Sequence, residues 1–385
     1  MPKRHKRRVL VGMSGGVDSA VAAALLCEQG YEVIGVTIKT YNYEEVGGNA
    51  ARESSCCSLE GINDARRVCQ QLGIPHLVVD FTHPFREQVI DYFVAEYLSG
   101  RTPNPCVRCN WLIKWGELLR KADALGAEYI ATGHYARLSY DEQSARWRLL
   151  RGRDQRKDQS YALWMLPQPF LARTLFPLGE LTKEEVRQLA ERFGLPVARK
   201  GESFELCFVP DNDYASFLRR AVPEQMEALR GGPIVRDGRV IGRHEGYPLY
   251  TIGQRRGLGV SAPEPLYVLD IVPEENTLIV GPQEQLYHWG LSAQQVNLIA
   301  LPKLPPEGIE CVARIRYKDE GAPAHAWQDA EGVLWVRFAE PRRAITPGQS
   351  VVLYRGEEVL GGGVIRAWCD SFPAEFPALA VPAYS

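Results

Sequence analysis

The stretch Arg8-Val9-Leu10-Val11-Gly12-Met13-Ser14-Gly15-Gly16-Val17-Asp18-Ser19 decides how the first half of the chain is read. Its apolar run at 8–13 has the length and composition of a buried strand. The run ends in a Ser-Gly-Gly turn, and the Ala-rich segment that follows to Gln29 reads as a helix. Two glycines let backbone amides approach phosphate oxygens, and a helix N-terminus adds a favourable dipole for an anion. The turn lacks the lysine of G-x-x-x-x-G-K-[ST], and its glycines are adjacent rather than spaced as G-x-G-x-x-G. It is therefore neither a Walker loop nor a dinucleotide fingerprint. A cradle for pyrophosphate suits chemistry that cuts ATP at the α-phosphate; the plainer alternative is a Gly-Ser turn capping an ordinary helix.

Working outward, strand-like runs at 31–38, 75–80 and 129–132 alternate with helix-like runs at 62–72, 85–99 and 112–125. Strict alternation predicts an α/β fold with a Rossmann-like, doubly wound parallel sheet. Ligands of such sheets sit outside the carboxyl ends of the strands, where 14–19, Ile38 and Gly133-His134 fall. A polar stretch at 41–55 reads as a loop. Between about 210 and 285 the composition shifts to Gly, Pro and Arg, the pattern of a small mixed module. Short β-rich runs at 311–317, 334–338, 350–354 and 359–365, separated by turn signals, predict a C-terminal antiparallel β-barrel. The expected domains are 1–209, 210–286 and 287–385.

The chain has 385 residues, 45% of them hydrophobic, enough for a core without staples, and its 24% charged residues are not those of a disordered chain. The formal charge of −2 excludes a protein that holds nucleic acid by being basic all over. It leaves room for a local face: Arg146, Arg148, Arg151, Arg153, Arg156 and Lys157 stand against only Asp154 within their stretch. That run is either an RNA-facing patch or a solvated hairpin face. Nine cysteines, an odd number that includes adjacent Cys56 and Cys57, do not make a secretory disulfide framework. No apolar run approaches the length of a membrane span. A cytoplasmic protein without membrane association is expected.

Chemistry concentrates at cysteines. Thr102-Pro103-Asn104-Pro105-Cys106-Val107-Arg108-Cys109-Asn110 carries two prolines, expected to fix an extended loop, and a C-x-x-C pair. In a reducing compartment such a pair is redox-active or a metal half-site, and Arg108 would stabilise a neighbouring thiolate. No second C-x-x-C exists to complete a four-thiolate zinc site. Cys207, in Glu205-Leu206-Cys207-Phe208-Val209-Pro210, reads on its own as a buried core residue. Cys27, Cys69, Cys311 and Cys369 read as structural, and Cys56-Cys57 has no assigned role.

The Ser14–Ser19 turn resembles the signature of the PP-loop ATP pyrophosphatases, whose domain is of the adenine nucleotide α-hydrolase type. Five further motifs follow in order: 102–110, Ala131-Thr132-Gly133-His134-Tyr135-Ala136-Arg137, Lys157-Asp158-Gln159-Ser160-Tyr161, the Cys207 segment, and Tyr250-Thr251-Ile252-Gly253-Gln254-Arg255. Together they resemble the bacterial tRNA-specific 2-thiouridylases. The resemblance implies replacement of O2 of the wobble uridine by sulfur in tRNAs for lysine, glutamate and glutamine, releasing AMP and pyrophosphate. It implies ATP held by Gly12, Met13, Ser14, Gly15, Gly16, Val17, Asp18, Ser19, Ile38 and Gly133, with Mg²⁺ expected and Asp18 its candidate ligand. Cys207 would carry a persulfide from a cysteine desulfurase or sulfur carrier. Cys109 would attack or resolve it, leaving a Cys109–Cys207 disulfide.

tRNA contacts are implied at Asn104, Pro105, Cys106, His134, Lys157, Asp158, Gln159, Arg316, Tyr317 and Gln349. Many relatives have an aspartate, a proposed general base, where this chain has Cys106, so that base assignment does not carry over. Cys106, Cys109 and Cys207 would suit an iron–sulfur cluster with one open iron, a second mechanism. Outside this family, a PP-loop amidotransferase or synthetase, or a non-catalytic module binding ATP and RNA, would use the same turn. Neither accounts for the C-x-x-C or for Cys207.

Overall fold

The computed structural model describes residues 7–41, 59–201, 206–209 and 213–377. Most of the expected 41–55 loop, Cys56-Cys57, Glu205 and Pro210 lie outside the described residues. Among those described, no helix is long and apolar enough to cross a membrane. The chain divides into two units, the first made of Met1–Asp91, Pro105–Phe217 and Glu357–Val359.

Parallel strands β1 (Arg8–Gly12), β2 (Glu32–Lys39), β3 (His76–Asp80) and β4 (Tyr129–Ala131) form the first unit's sheet. A hairpin of β5 (Ala136–Asp141) and β6 (Arg146–Arg151) follows, and a short β7 (Thr174–Leu175) completes the sheet in the order β3-β2-β1-β4-β7. Strand order reverses beside β1, which opens a crevice at the carboxyl ends of β1 and β4. Val9, Leu10 and Val11 are wholly buried, as an unbroken apolar run requires in a strand covered on both faces. Helix α1 (Val17–Glu28) buries Ala20, Val21, Ala22 and Ala23 completely, and these small residues let it pack closely against the helix Lys183–Arg192. Helix α2 (Leu59–Leu72) is amphipathic, with Ala65, Val68 and Cys69 inward and Arg66 and Arg67 outward.

Two expectations change. The helix expected at 85–99 starts at Thr82 and contains a π-helical turn, Arg86–Ile90. The C-x-x-C pair, expected on an extended loop, lies on the helix Pro105–Cys109, which continues through a π-helical stretch, Asn110–Glu117, to Ala124. Pro105 stands at the first helical position, where its missing N–H costs nothing and its fixed φ favours the helix. Proline thus starts this segment's helix rather than forbidding it.

The second unit contains Tyr92–Asn104, Leu218–Gly356 and Leu360–Ser385. Strands β8 (Pro233–Arg236), β9 (Arg239–Arg243), β10 (Tyr267–Val272) and β11 (Thr277–Gly281) make a sheet in the order β10-β11-β8-β9. Six further strands follow: β12 (Tyr287–Leu298), β13 (Ile309–Arg314), β14 (Ala322–Gln328), β15 (Leu334–Arg343), β16 (Ser350–Arg355) and β17 (Glu358–Cys369). They run in the order β12-β15-β14-β13-β16-β17, and β17 returns to β12, closing the expected barrel. Leu291, Ala313, Ala326, Val336, Leu353 and Ile365 fill it. Closure removes the exposed sheet edges that invite aggregation. The Tyr92–Asn104 segment is bound within this unit: Thr102 N donates to Pro347 O (2.9 Å), and Gly348 lies so close that a Cβ there would meet Thr102 O at 2.9 Å.

Candidate functional site

The turn after β1 is built for close approach. Gly15 has φ +74°, and a Cβ on it would lie 2.2 Å from Gly61 O, so both conformation and space require glycine. Ser19 Oγ donates to Gly16 O (3.1 Å), lies 3.2 Å from Ser14 Oγ and accepts from Ser14 N (3.2 Å), which fixes the turn from within. The N–H groups of Gly15, Val17 and Asp18 make no hydrogen bond among the described residues. The last two are orphan donors of the first turn of α1. Gly133, just past β4, closes the other side: a Cβ there would lie 2.8 Å from Asp18 C and 2.9 Å from Ser19 N. Ile38, half-buried on β2, lies two residues beyond the register partner of Gly12. The predicted ATP residues therefore converge at one strand-end crevice, whose free amides are suited to an anion.

Sequence reasoning missed the cation of this site. Lys183, buried, places Nζ 2.6 Å from Asp18 Oδ1, and Tyr135 Oη donates to the same oxygen (2.8 Å). Lys183 begins its helix after Thr182, whose side chain and Glu185 form a capping box. The capping signal was legible; the reach across the fold to Asp18 was not. Asp18 Oδ2 makes no hydrogen bond among the described residues, so one carboxylate oxygen stays available to a divalent cation arriving with a nucleotide.

The thiols separate by environment. Burial pushes the Cys69 thiol up to about 11 and the Cys311 and Cys369 thiols up to about 12. Such groups stay protonated at neutral pH and are poor nucleophiles. Cys106 is exposed, Cys109 and Cys207 are partly accessible, and none of the three is in a disulfide. Cys106 and Cys109 are three residues apart on one helix and so share a face. The segment Phe85–Ile90 anchors both cysteine regions. On one side Arg108 Nε donates to Gln88 O (2.5 Å); on the other the Phe85 ring meets Phe208 edge-on at 5.8 Å. Tyr41, itself against Phe85, donates from Oη to Cys207 O (2.6 Å). Among the described residues no three His, Cys, Asp or Glu side chains are grouped to hold a metal ion. The set Cys106, Cys109 and Cys207 therefore does not fit a cluster in this geometry.

The residues expected at tRNA sort differently. The buried carboxylate of Asp158 accepts from Gly152 N (3.1 Å), Ser160 N (3.0 Å) and Ser160 Oγ (3.0 Å), so this side chain shapes a turn. Gln159 is tied to Tyr135 through both its backbone and its side chain, while Lys157 is partly exposed. Gln349 donates from Nε2 to Thr102 O (3.0 Å) and Pro103 O (3.2 Å), which makes it a support for the segment ahead of Asn104, Pro105 and Cys106. Arg316 and Tyr317 are exposed on the turn after β13. Burial, with Lys114 nearby, holds His134 well below its ordinary value of 6.5, so its imidazole is neutral. It bonds Thr132 Oγ1 (2.7 Å) and packs against the rings of Trp115 and Phe176, which also meet each other.

Three arginines of the basic run of 146–157 pair with distant acids. Arg148 pairs with Glu358 (2.6 Å), Arg153 with Glu185 (3.3 Å), and Arg156 with Glu184 (3.4 Å).

Three family models match the chain, described as tRNA methyl transferase HUP domain over residues 7–211, tRNA methyl transferase PRC-barrel domain over 215–282 and aminomethyltransferase beta-barrel domain over 289–365. The chain is 56% identical to the tRNA-specific 2-thiouridylase MnmA of Salinibacter ruber over 363 residues, 94% of each chain. It is 48% identical to the protein of the same name from Amoebophilus asiaticus over 364 residues, 94% of this chain and 96% of that one. Among solved structures, a 4-thiouridine synthetase–RNA complex with bound ATP is similar over 57% of this chain and 51% of the other, at 19% identity and a TM-score of 0.32.

Proposed function

This chain belongs to the tRNA-specific 2-thiouridylase family, and from that premise we propose that it is a tRNA-uridine 2-sulfurtransferase acting on the wobble uridine of tRNAs for lysine, glutamate and glutamine. The observation that carries the reading is the anchoring of the Cys109 helix and the Cys207 segment on one element, Phe85–Ile90, in the unit that also holds the phosphate turn.

In the first step uridine O2 attacks the α-phosphorus of ATP. The α–β bridging bond breaks, pyrophosphate departs with the electron pair, and the N3 proton is released. Free amides of the turn hold the phosphates; Asp18 would hold Mg²⁺, which would supply charge neutralisation. In the second step the terminal sulfur of a Cys207 persulfide bonds C2 and AMP leaves. Cys109 thiolate then attacks Cys207 Sγ, freeing 2-thiouridine and leaving a Cys109–Cys207 disulfide for a dithiol to reduce. Splitting activation from displacement lowers each barrier, and the attacking species at each sulfur step is a thiolate or persulfide anion. A cysteine desulfurase or its carrier supplies the persulfide, and a reducing cytoplasmic setting fits the open thiols.

A target base must leave its stack to be modified. Asn104, Pro105 and Cys106 are assigned to that base, with Lys157, Gln159, His134, Arg316 and Tyr317 as further contacts. The working division is residues 1–209 for ATP and catalysis, 210–286 as a central domain and 287–385 as a tRNA-gripping barrel. The test is Cys207→Ser, with unmodified tRNA, ATP and a persulfide donor. It abolishes 2-thiouridine while ATP and tRNA binding survive; retained thiolation sinks the mechanism. Anaerobic protein that is active and free of iron and inorganic sulfide excludes the cluster version, whereas stoichiometric iron required for activity restores it.

A further inference from the structure

The phosphate turn carries no lysine of its own, yet among the described residues one cation bonds directly to it. Lys183 lies 165 positions from Asp18 in sequence and contacts it at 2.6 Å. Its location is not explained by helix formation: a cation at a first helical position opposes the helix dipole, which favours the Glu184 and Glu185 that follow. Lys183 is only 7% exposed as a residue, and both its side chain and its backbone are held. Asp18 Oδ1 accepts from it, the Tyr135 ring centroid lies 5.9 Å away, and its backbone N–H is fixed by Asp154 Oδ2 at 3.1 Å. Asp154 is itself buried, so this cation is placed by two layers of structure.

An ATP polyphosphate entering over the free amides of Gly15, Val17 and Asp18 meets the Asp18 carboxylate, which repels it, and the Lys183 ammonium, which attracts it. We propose that Lys183 is a catalytic residue of adenylation: it is handed from Asp18 to the polyphosphate and neutralises the charge that develops on departing pyrophosphate. The inference rests on the proposed function and deepens it. The bond formed is uridine O2 to the α-phosphorus, and the bond broken is α-phosphorus to the α–β bridging oxygen. The electron pair goes to pyrophosphate and the N3 proton to solvent. Lys183 transfers no proton. The exchange would leave both Asp18 carboxylate oxygens free to hold a divalent cation. A lysine donated from a helix distant in sequence that packs against α1 thereby does what a Walker loop does with a lysine of its own.

The test compares wild type with Lys183→Met and Lys183→Arg in the full-length protein. The readouts are ATP affinity, AMP affinity, inhibition by inorganic pyrophosphate, and tRNA-dependent pyrophosphate release. For Lys183→Met, kcat of pyrophosphate release falls about 100-fold, the scale of losing one preorganised charge-stabilising donor. Pyrophosphate inhibition weakens about tenfold, the scale of one charged hydrogen bond. AMP affinity is unchanged, and Lys183→Arg recovers part of both losses. A folded Lys183→Met protein with wild-type kcat and pyrophosphate inhibition overturns the inference, as does equal loss of AMP and pyrophosphate binding.

If Lys183→Met does not fold because Asp18 is left uncompensated, the double variant Asp18→Asn/Lys183→Met removes both charges, and the same pyrophosphate-against-AMP comparison decides. Failure of the proposed function is separate: wild type would then release no pyrophosphate with tRNA, while its pyrophosphate affinity would still depend on Lys183.

Discussion

At the residue scale, titration and hydrogen bonding give two predictions. Burial lowers the pKa of His134, His76 and His244 below 6.5. The unfolded chain then binds more protons than the folded one in that range, so the stability these groups contribute is full above about 6.5 and is lost as pH falls toward their folded values. Urea midpoints are expected to drop between pH 7.5 and 5.5, and His134→Gln is expected to flatten that drop; an unchanged slope shows that His134 is not held neutral by the fold. Gln349→Ala removes two hydrogen bonds, each worth about 1 kcal/mol, from the Thr102-Pro103 backbone. It is expected to raise KM for tRNA while leaving ATP affinity unchanged, measured by steady-state thiolation. A loss confined to ATP affinity would contradict a supporting role for Gln349. Asp158 shows why such roles escape a linear reading: the Lys157-Asp158-Gln159 motif is visible, but only coordinates reveal that the carboxylate bonds inward to Gly152 and Ser160.

At the scale of elements, the phosphate turn works because α2 crowds it. Gly15→Ala combines a positive φ with a Cβ 2.2 Å from Gly61 O, so it is expected to cost about 2 kcal/mol or more and to abolish ATP binding. Thermal melts with and without ATP read both effects, and a stable, ATP-binding Gly15→Ala protein would show that the turn relaxes. The elements of the first half were legible as strands and helices because their apolar runs and their periodicity agree with the sheet's needs. The C-x-x-C helix was not, since two prolines suggest extension and only Pro105 at the first helical position admits the helix. The pairing of β5 with β6 was weakly marked, because its strands are rich in arginine and only partly buried.

At the scale of the whole molecule, the formal charge of −2 goes with ion pairs among the described residues that join segments far apart in sequence. Glu184 and Glu358 compensate Arg156 and Arg148. If the 146–157 region faces tRNA, Glu184→Gln with Glu358→Gln releases those arginines, tightens tRNA binding and steepens its dependence on salt by up to about two counterions. Filter binding over a salt series measures this, and an unchanged slope places tRNA elsewhere on the protein.

The sequence by itself determined the α/β class, the C-terminal barrel and the Ser-Gly-Gly turn between strand and helix. These features are local: each is written in a few neighbouring residues whose spacing or chemistry is specific. Only the tertiary structure decided that Lys183 reaches Asp18 of that turn, that Gln349 supports the segment ahead of Cys106, and that the Asp158 carboxylate bonds inward. Charge pairing and hydrogen bonding act through space, over distances of a few ångströms that a linear chain does not encode until it has folded.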